Sequence, residues 1–313
     1  MKILRKPEII NRFHLYFLFV IFAHLSIASI NINGLNNRIK QLSFINFLRF
    51  NKIDIIFLQE HNLRSEESII PELSDHYIVI LNLSISHKGG TGIIINKDLH
   101  VRIKNCEKSA NSRIISLNID LYNNPLHLIN IYAPAGSTRE RDDFFKEDLP
   151  YYLRNSLENS ILGGDFNCIL HPRDSTSKST HICKSLNNIF KDLSIKDVWW
   201  LCNRDVEHTF VRNNYGSRLD RIYAKSLVNC INNVYLKHTN ISDHSCIIIN
   251  LSISNMPKIG KYYWKMNSTL LDDINIKNDF SIEWSRMKFL ITRYDSINDW
   301  WSLYAKRHKT ILY

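Results

Sequence analysis

Between residues 26 and 253 the chain repeats one pattern, short apolar runs rich in β-branched residues, several of which stop on a carboxylate, an amide or a tyrosine. The runs lie at 26–32, 54–58, 77–81, 92–96, 113–120, 126–132, 161–164, 221–224, 231–237 and 246–252. Many alternate in polarity as half-buried strands do. Between them, 37–51, 139–156 and 180–192 place apolar residues at three- and four-residue steps, the period of a one-faced helix. No Gly-rich turn follows the first run, so a dinucleotide-binding sheet is excluded and a layered sheet protein is predicted.

The 313 residues suffice for one large domain or two modest ones, and an apolar fraction of 44% excludes a disordered or fibrous chain. Forty Lys and Arg against thirty Asp and Glu leave a net charge of +10. That excess suits a polyanion, either nucleic acid or a membrane surface, or is ordinary lysine decoration. The six cysteines show neither a CxxC pair nor zinc spacing, and Cys168 and Cys246 sit in apolar runs, as buried hydrophobes in a reducing compartment do.

Residues 1–25 form a basic and then apolar leader. It reads either as a signal peptide or anchor over 13–30 or as a non-native leader. The second reading is favoured, because the apolar run passes without a break into 26–31, which the fold needs as its first core strand. In addition, Asn240-Ile241-Ser242 would be a glycosylation sequon beside His244 in an exported chain. Residues 26–253 are read as the folded domain. Residues 254–313, with Trp264, Trp284, Trp300 and Trp301 among charges at helical spacing, are read as a helical appendage.

The strand ends carry the chemistry. Asn31 stands in Asn31-Ile32-Asn33-Gly34-Leu35, Glu60 closes Phe57-Leu58-Gln59-Glu60, and Tyr132 lies in Asn130-Ile131-Tyr132-Ala133-Pro134. Asp165 and Asn167 follow in Gly163-Gly164-Asp165-Phe166-Asn167, Asp220 in Ser217-Arg218-Leu219-Asp220-Arg221, and Asp243 with His244 in Ser242-Asp243-His244-Ser245. Each alone is an ordinary turn or surface residue. Together they can converge on one sheet edge, where oxygen donors without thiolates suit a hard divalent ion and a histidine can polarise a phosphate oxygen.

In this combination and order the motifs resemble the endonuclease/exonuclease/phosphatase superfamily, which includes DNase I, exonuclease III and the apurinic/apyrimidinic endonucleases. More narrowly they resemble the endonuclease domain of LINE-type non-LTR retrotransposon polyproteins. The segment Tyr263-Trp264-Lys265-Met266-Asn267 with Leu270-Leu271 is similar to the connector those polyproteins carry. The resemblance implies a four-layered α/β sandwich, DNase I-like, with two packed mixed sheets flanked by helices. It further implies hydrolysis of a phosphodiester in double-stranded DNA by in-line attack with Mg²⁺, or Mn²⁺ in its place.

Carried over by motif, Glu60 would be the principal metal ligand, with Asn31 beside it and Asp243 in support. Asp165 would deprotonate the attacking water, and Asn167 would stabilise the transition state. His244, its tautomer fixed by Asp220, and Tyr132 would address phosphate oxygens. Asn33, Thr209, Arg218 and Arg221 are candidate DNA contacts, and Arg173, Lys178 and Arg212 are further cations near the cleft. The Trp199-Trp200 pair is read as core packing. Two positions depart from the family pattern. Ala135 stands where an Asn often follows Pro, removing one polar donor, and His61 stands where Thr is common, beside the site.

The chain contains no Tyr/Phe-x-Asp-Asp sequence, so it is read as a partial copy of an element whose RNA and reverse transcriptase would be partners only in the full polyprotein. Its location is expected to be nuclear or cytoplasmic. A phosphoesterase of the same fold acting on inositol phosphates, sphingomyelin or poly(A) is one alternative. An inactive nucleic-acid-binding remnant is the other.

Overall fold

The structure, a computed structural model, describes residues 23–253 except 87, 100, 123, 155–157 and 178–180, together with Asn278, Ile282 and Ser285. The chain divides into two compact units, Met1–Lys258 and Ile259–Tyr313. The leader before residue 23 and, apart from those three residues, the expected helical appendage lie outside the described residues.

Among the described residues fourteen strands run in chain order as β1 (Ala23–Asn31), β2 (Ile55–Gln59), β3 (Tyr77–Asn82), β4 (Thr91–Asn96), β5 (Val101–Lys108), β6 (Ile114–Leu121), β7 (Asn124–Tyr132), β8 (Ser160–Asp165), β9 (Lys196–Asp197), β10 (Phe210–Arg212), β11 (Tyr215–Ser217), β12 (Asp220–Ala224), β13 (Ile231–Lys237) and β14 (Cys246–Ile253). They form two six-stranded sheets, ordered β13-β14-β1-β2-β4-β3 and β5-β6-β7-β8-β12-β9, and the hairpin β10-β11. Both sheets are mixed, with β1 parallel to β2 and β7 parallel to β8. The second half of the apolar stretch at 13–30 is strand β1 of the first sheet. Among the described residues no helix is long and apolar enough to cross a membrane.

Strand alternation builds the layers. Leu25 and Ile27 of β1, Ile55 and Phe57 of β2, Leu126 and Leu128 of β7, Ile161 of β8, and Ile222 and Ala224 of β12 share the core between the sheets. Their neighbours in sequence face outward into two further cores. Ala28, Ile30, Ile56 and Leu58 meet Phe44, Ile45 and Leu48 of helix α1 (Arg38–Phe50) and Leu73 of α2 (Pro71–Ser74). Ile129, Ile131, Leu162 and Tyr223 meet a helical segment made of α3 (Thr138–Asp143), a π-helical turn at Phe144–Asp148 and α4 (Leu149–Leu153), and also α5 (Lys184–Asp192). Burying one such side chain stabilises by about 1.5–3 kcal/mol, and a one-residue slip would reverse the faces of a strand, so alternation fixes register.

Among the strands, β5, β9 and the β10-β11 hairpin escape the sequence pattern. Strand β5 reads Val-Arg-Ile-Lys-Asn-Cys-Glu-Lys and is mostly exposed at a sheet edge, where lysines and charge replace apolar alternation. Trp199, in the one-turn helix α6 (Trp199–Cys202), is buried in the inter-sheet core as expected, whereas Trp200 is half-buried.

A buried polar clamp ties the sheets together. The Asn130 side-chain amide on β7 donates to the carbonyls of Leu58 (2.8 Å) and Gly92 (2.7 Å) in the opposite sheet. Its oxygen accepts from Gln59 Nε2 at 2.7 Å, and Gln59 also reaches Ser29 Oγ at 3.2 Å. Close approach also explains the Gly163-Gly164 pair. A Cβ on Gly163 would lie 2.3 Å from the Phe57 ring of the facing sheet. One on Gly164 would lie 1.9 Å from the Ile131 carbonyl oxygen. Gly164→Ala, which meets rigid backbone, is expected to abolish folding. Gly163→Ala, which meets a ring that can move, should lower stability by about 1–3 kcal/mol. Urea unfolding followed by tryptophan fluorescence measures both, and two wild-type curves would contradict the packing described.

Candidate functional site

Alternation along the strands assembles the site. Asn31 and Gln59 share the inward-facing phase of Ile27 and Phe57, while Tyr132, Asp165 and Asp220 share that of Leu128, Ile161 and Ile222. Strand register then aligns them, since Asn31 pairs with Gln59, Tyr132 with Asp165, and Asp165 with Asp220. Two rows of polar residues thus meet at the mouth of the gap between the sheets.

Asn31 bridges the rows. Its Nδ2 donates to Glu60 Oε1 at 2.9 Å and to Asp165 Oδ2 at 3.0 Å, and its Oδ1 accepts the Asn33 N–H at 3.1 Å. Glu60 follows β2 with φ +52°, a left-handed turn uncommon for a non-glycine residue, and its Oε1 also accepts the Tyr132 hydroxyl at 2.8 Å. Asn167 is left-handed too, at φ +46°. Its N–H donates to Asp165 Oδ1 at 2.9 Å and its Nδ2 to the Ala133 carbonyl at 2.9 Å. His244 Nδ1 lies 2.8 Å from Asp220 Oδ2, and the imidazole ring lies against Phe210, tilted by 39° with centroids 4.8 Å apart.

The electrostatics follow from burial and proximity. Burial and the neighbouring Asp220 push the Asp165 carboxyl up to about 6. Burial works against the His244 imidazolium. Asp220, by charge and hydrogen bond, outweighs it with help from Asp165 and Asp243, and the imidazole is raised to about 10. Burial, then Glu60, raises Tyr132, so its hydroxyl stays a donor.

The donor set fits a hard cation. The carboxylate oxygens of Glu60, Asp165 and Asp220 and the amide oxygen of Asn31 are hard donors; ligand atoms of Asp165, Asp220 and His244 lie within 4.8 Å of one another, with the protonated His244 standing beside the carboxylates and not as a ligand. Asp220 Oδ1 is buried with no hydrogen-bond partner among the described residues, an oxygen that calls for a compensating cation or donor. Of the expected ligands, Glu60 and Asn31 sit together. Asp243 is exposed at the rim, where Oδ1 accepts from Asn33 Nδ2 at 3.1 Å, and it stands outside the compact trio.

The expected DNA contacts divide. Asn33 is exposed at the rim. Thr209 is buried, and its Oγ1 accepts the N–H groups of Leu219 and Asp220, both at 3.0 Å, so it sets the start of β12 instead of facing substrate. Arg218 and Arg221 are only 1% and 0% exposed. Arg221 shares the outward phase of Tyr223 on β12, and its guanidinium donates to Asp174 Oδ2 (3.0 Å) and to the Cys168 carbonyl (2.9 Å). Arg218 donates to Asp174 Oδ1 (2.9 Å) and Asp197 Oδ2 (2.7 Å). Both arginines are therefore engaged inside the protein, bracing the Asn167 and Asp220 segments. Arg173 is exposed above Trp200, Arg212 is exposed on the hairpin, and Lys178 lies outside the described residues.

His61 is fully buried, with Nδ1 accepting the Leu63 N–H at 3.0 Å and Nε2 directed at the carbonyls of Asn82 and Thr91. Burial holds this imidazole down at about 4, so it is neutral, and with both ring nitrogens engaged by backbone groups it is a structural residue. Ala135 is exposed and offers no polar side chain. Asp174, Gln59 and Asn130 were missed by the sequence reading. Gln59 and Asn130 lie inside the quoted motifs, on the inward phase of their strands, and that was the available signal.

Two stacked mixed sheets carrying such an edge define an α/β sandwich of the DNase I-like class. The chain belongs to the Endonuclease/Exonuclease/phosphatase family, whose model matches residues 28–244. It is 29% identical over 299 residues to the "Transposon TX1 uncharacterized 149 kDa protein" of Xenopus laevis, a match covering 92% of this chain and 22% of that protein. Among solved structures it is similar to an AP endonuclease from Archaeoglobus fulgidus (TM-score 0.61, 21% identity, 73% of this chain and all of that one). It is also similar to the endonuclease domain of TRAS1, a telomere-specific non-LTR retrotransposon (TM-score 0.56, 14% identity, 75% of this chain and all of that one).

The buried network generates a stability prediction. Burial opposes the Asp174 charge, but Arg221 and Arg218 overcome it and hold the carboxyl down at about 2. A carboxyl whose folded value is depressed adds stability above its unfolded value of about 3.9, and that stability is lost as pH falls from there through about 2. Asp174→Asn should cost about 3–5 kcal/mol at neutral pH by leaving buried guanidinium charge uncompensated. It should also flatten the wild-type loss of stability between pH 4 and 2. Thermal melts across that range test both, and a variant matching wild type throughout would contradict this role for Asp174.

Proposed function

We propose that this domain is a divalent-metal-dependent endonuclease that nicks double-stranded DNA, descended from a non-LTR retrotransposon. The observation that carries the reading is the continuous hydrogen-bonded row at the sheet mouth: Tyr132 to Glu60, Glu60 to Asn31, Asn31 to Asp165, with Asp165 packed against the Asp220–His244 pair. The family, a transposon protein as relative and the net charge of +10 support DNA as substrate.

Glu60 would hold the cation, Mg²⁺ or Mn²⁺, with Asn31 beside it and Asp243 at the rim. What such an ion supplies there is positive charge against the negative charge that builds on phosphate oxygens. Asp165, ionised above about pH 6 and held by Asn31 and the Asn167 N–H, accepts the proton of the attacking water. His244 carries its proton at neutral pH, with Asp220 holding Nδ1, so Nε2 is the nitrogen that donates to a phosphate oxygen. Tyr132 stays protonated and donates from the opposite wall. Asn167 donates where charge develops once its amide leaves the Ala133 carbonyl. Asn33, at the exposed rim, contacts the DNA backbone.

In the intact element the nick would supply the primer end for target-primed reverse transcription, with element RNA and reverse transcriptase as partners in the longer protein. The chain spans 22% of its transposon relative, so those partners belong to that larger context. Its place of action would be the nucleus, or the cytoplasm before entry.

Supercoiled plasmid incubated with the purified chain and Mg²⁺ should convert to open circle, and EDTA should stop the conversion. Asp165→Ala and His244→Ala should each slow it by at least ~100-fold with wild-type circular dichroism. Nicking that survives both substitutions would overturn the assignment. A folded but silent wild type that hydrolyses inositol phosphates or poly(A) would move the same site to another phosphoester.

A further inference from the structure

Helix α1 begins against its own electrostatics. Its first turn holds no acidic residue and two cations, Arg38 and Lys40, where the positive end of the helix dipole disfavours positive charge. Arg38 is exposed and pairs with Glu72. Lys40 is half-buried and reaches back to the segment before the helix, where its Nζ donates to the carbonyls of Ile32 at 2.7 Å and Asn33 at 2.9 Å. Burial lowers the ammonium from its ordinary value, and the Asp243 charge works against that. A charge in so unfavourable a place is kept there by what it binds.

What Lys40 binds is the turn that leads from β1 into α1. Asn33 and Gly34 are both left-handed there, at φ +49° and +88°. One side of the turn is tied to the end of β2. The N–H groups of Ile32, Gly34 and Leu35 donate to the carbonyls of Gln59, Glu60 and His61 at 2.9, 2.6 and 2.9 Å. The other side presents the carbonyls of Ile32 and Asn33, and Lys40 takes both. The same turn orients the site. The Asn33 N–H holds Asn31 Oδ1, Asn31 Nδ2 reaches Glu60 and Asp165, and Asn33 Nδ2 donates to Asp243 Oδ1 at 3.1 Å. Hydrogen bonds from a charged donor are stronger than neutral ones, so an ammonium fixes the turn more firmly than a hydroxyl or water would.

On the reading of this edge as a divalent-cation site, we propose that Lys40 is its positioning residue, touching neither metal nor substrate. Its ammonium locks the Asn33–Gly34 turn, so that Glu60, Asn31 and Asp243, the groups expected to hold the ion, keep their places relative to one another. An apolar group in its stead releases both carbonyls to water and lets the two left-handed residues relax. The fold does not depend on the ammonium. Ile32 and Leu35 stay anchored in the outer core under α1, and the N–H bonds to β2 remain. Groups that hold metal ligands in place without touching the ion are typically worth about 10–100-fold in metal affinity.

Mn²⁺ binding to the full chain is measured by the loss of the free-ion signal in electron paramagnetic resonance, and folding by thermal melts in EDTA. Lys40→Met should bind Mn²⁺ about 10-fold more weakly than wild type while melting at the wild-type temperature. The Mg²⁺ concentration for half-maximal plasmid nicking should rise by the same factor. Lys40→Arg, which keeps the charge and the N–H donors, should recover most of the affinity. A Met variant that binds Mn²⁺ as tightly as wild type would overturn the proposal, as would an Arg variant no better than Met. Lys40→Gln gives the same comparison where the Met variant misfolds, and if both unfold in EDTA, Lys40 belongs to the fold and the proposal falls. A folded wild type that takes up no Mn²⁺ would instead remove the cation site itself, and with it the nuclease reading.

Discussion

The amide of Asn130 stands between two sheets and satisfies carbonyls of the one it does not belong to. Leu58 and Gly92 lie on β2 and β4, while Asn130 lies on β7, so its two donated bonds set the height at which the sheets face each other. Gln59 completes the clamp and precedes Glu60; Tyr132 lies two residues beyond Asn130. Hydrophobic contact alone would hold the sheets together without fixing their relative slide, because it is non-directional. A buried polar contact is directional, and leaving one of its groups unpaired costs about 1–3 kcal/mol. The Tyr132–Glu60 and Asn31–Asp165 bonds, each spanning the two sheets, depend on that slide being correct.

A second brace acts on the other side of the site. Asp174 accepts the N–H groups of Leu170 and His171 and pairs with Arg218 and Arg221, so the loop after Asn167 and the start of β12 move together. Thr209 pins the same start through the N–H groups of Leu219 and Asp220. Asp165 and Asp220 are neighbours in the sheet; burial and Asp220 raise the Asp165 carboxyl, and Asp220, against burial, favours the imidazolium of His244. In the proposed function, acid, base and donor would arise from one buried cluster whose geometry is enforced from outside it. Arg221 also donates to the Cys168 carbonyl, which extends that brace to the residue after Asn167.

Much of this architecture was legible in the residues. Strands β1 to β4, β6 to β8 and β12 to β14 coincide with apolar runs within a few residues at each end, because alternation toward two cores leaves a readable period. Strand β5 was not legible, because an edge strand facing water needs no apolar face. The hairpin β10-β11 was not either, since three-residue strands with exposed Val211 and Tyr215 carry no period. At the site, the motif residues Asn31, Glu60, Tyr132, Asp165, Asn167, Asp220 and His244 do meet. Charge type says nothing of burial, and Arg218 and Arg221 are buried in ion pairs. Arg221 alternates with inward Asp220 and Ile222 and so points away from the cleft.

By itself the amino-acid order determined which side chains could share a face, because strand period is a local property of the backbone. It placed the chemistry at strand ends and carried the motifs that mark the family. Only the tertiary structure decided which of those ends meet, since sheet order and the slide between sheets are set by contacts between residues far apart in sequence. It also decided which charges are spent inside the protein, as with Asp174 and its two arginines, because burial depends on what packs above a residue and not on the residue itself.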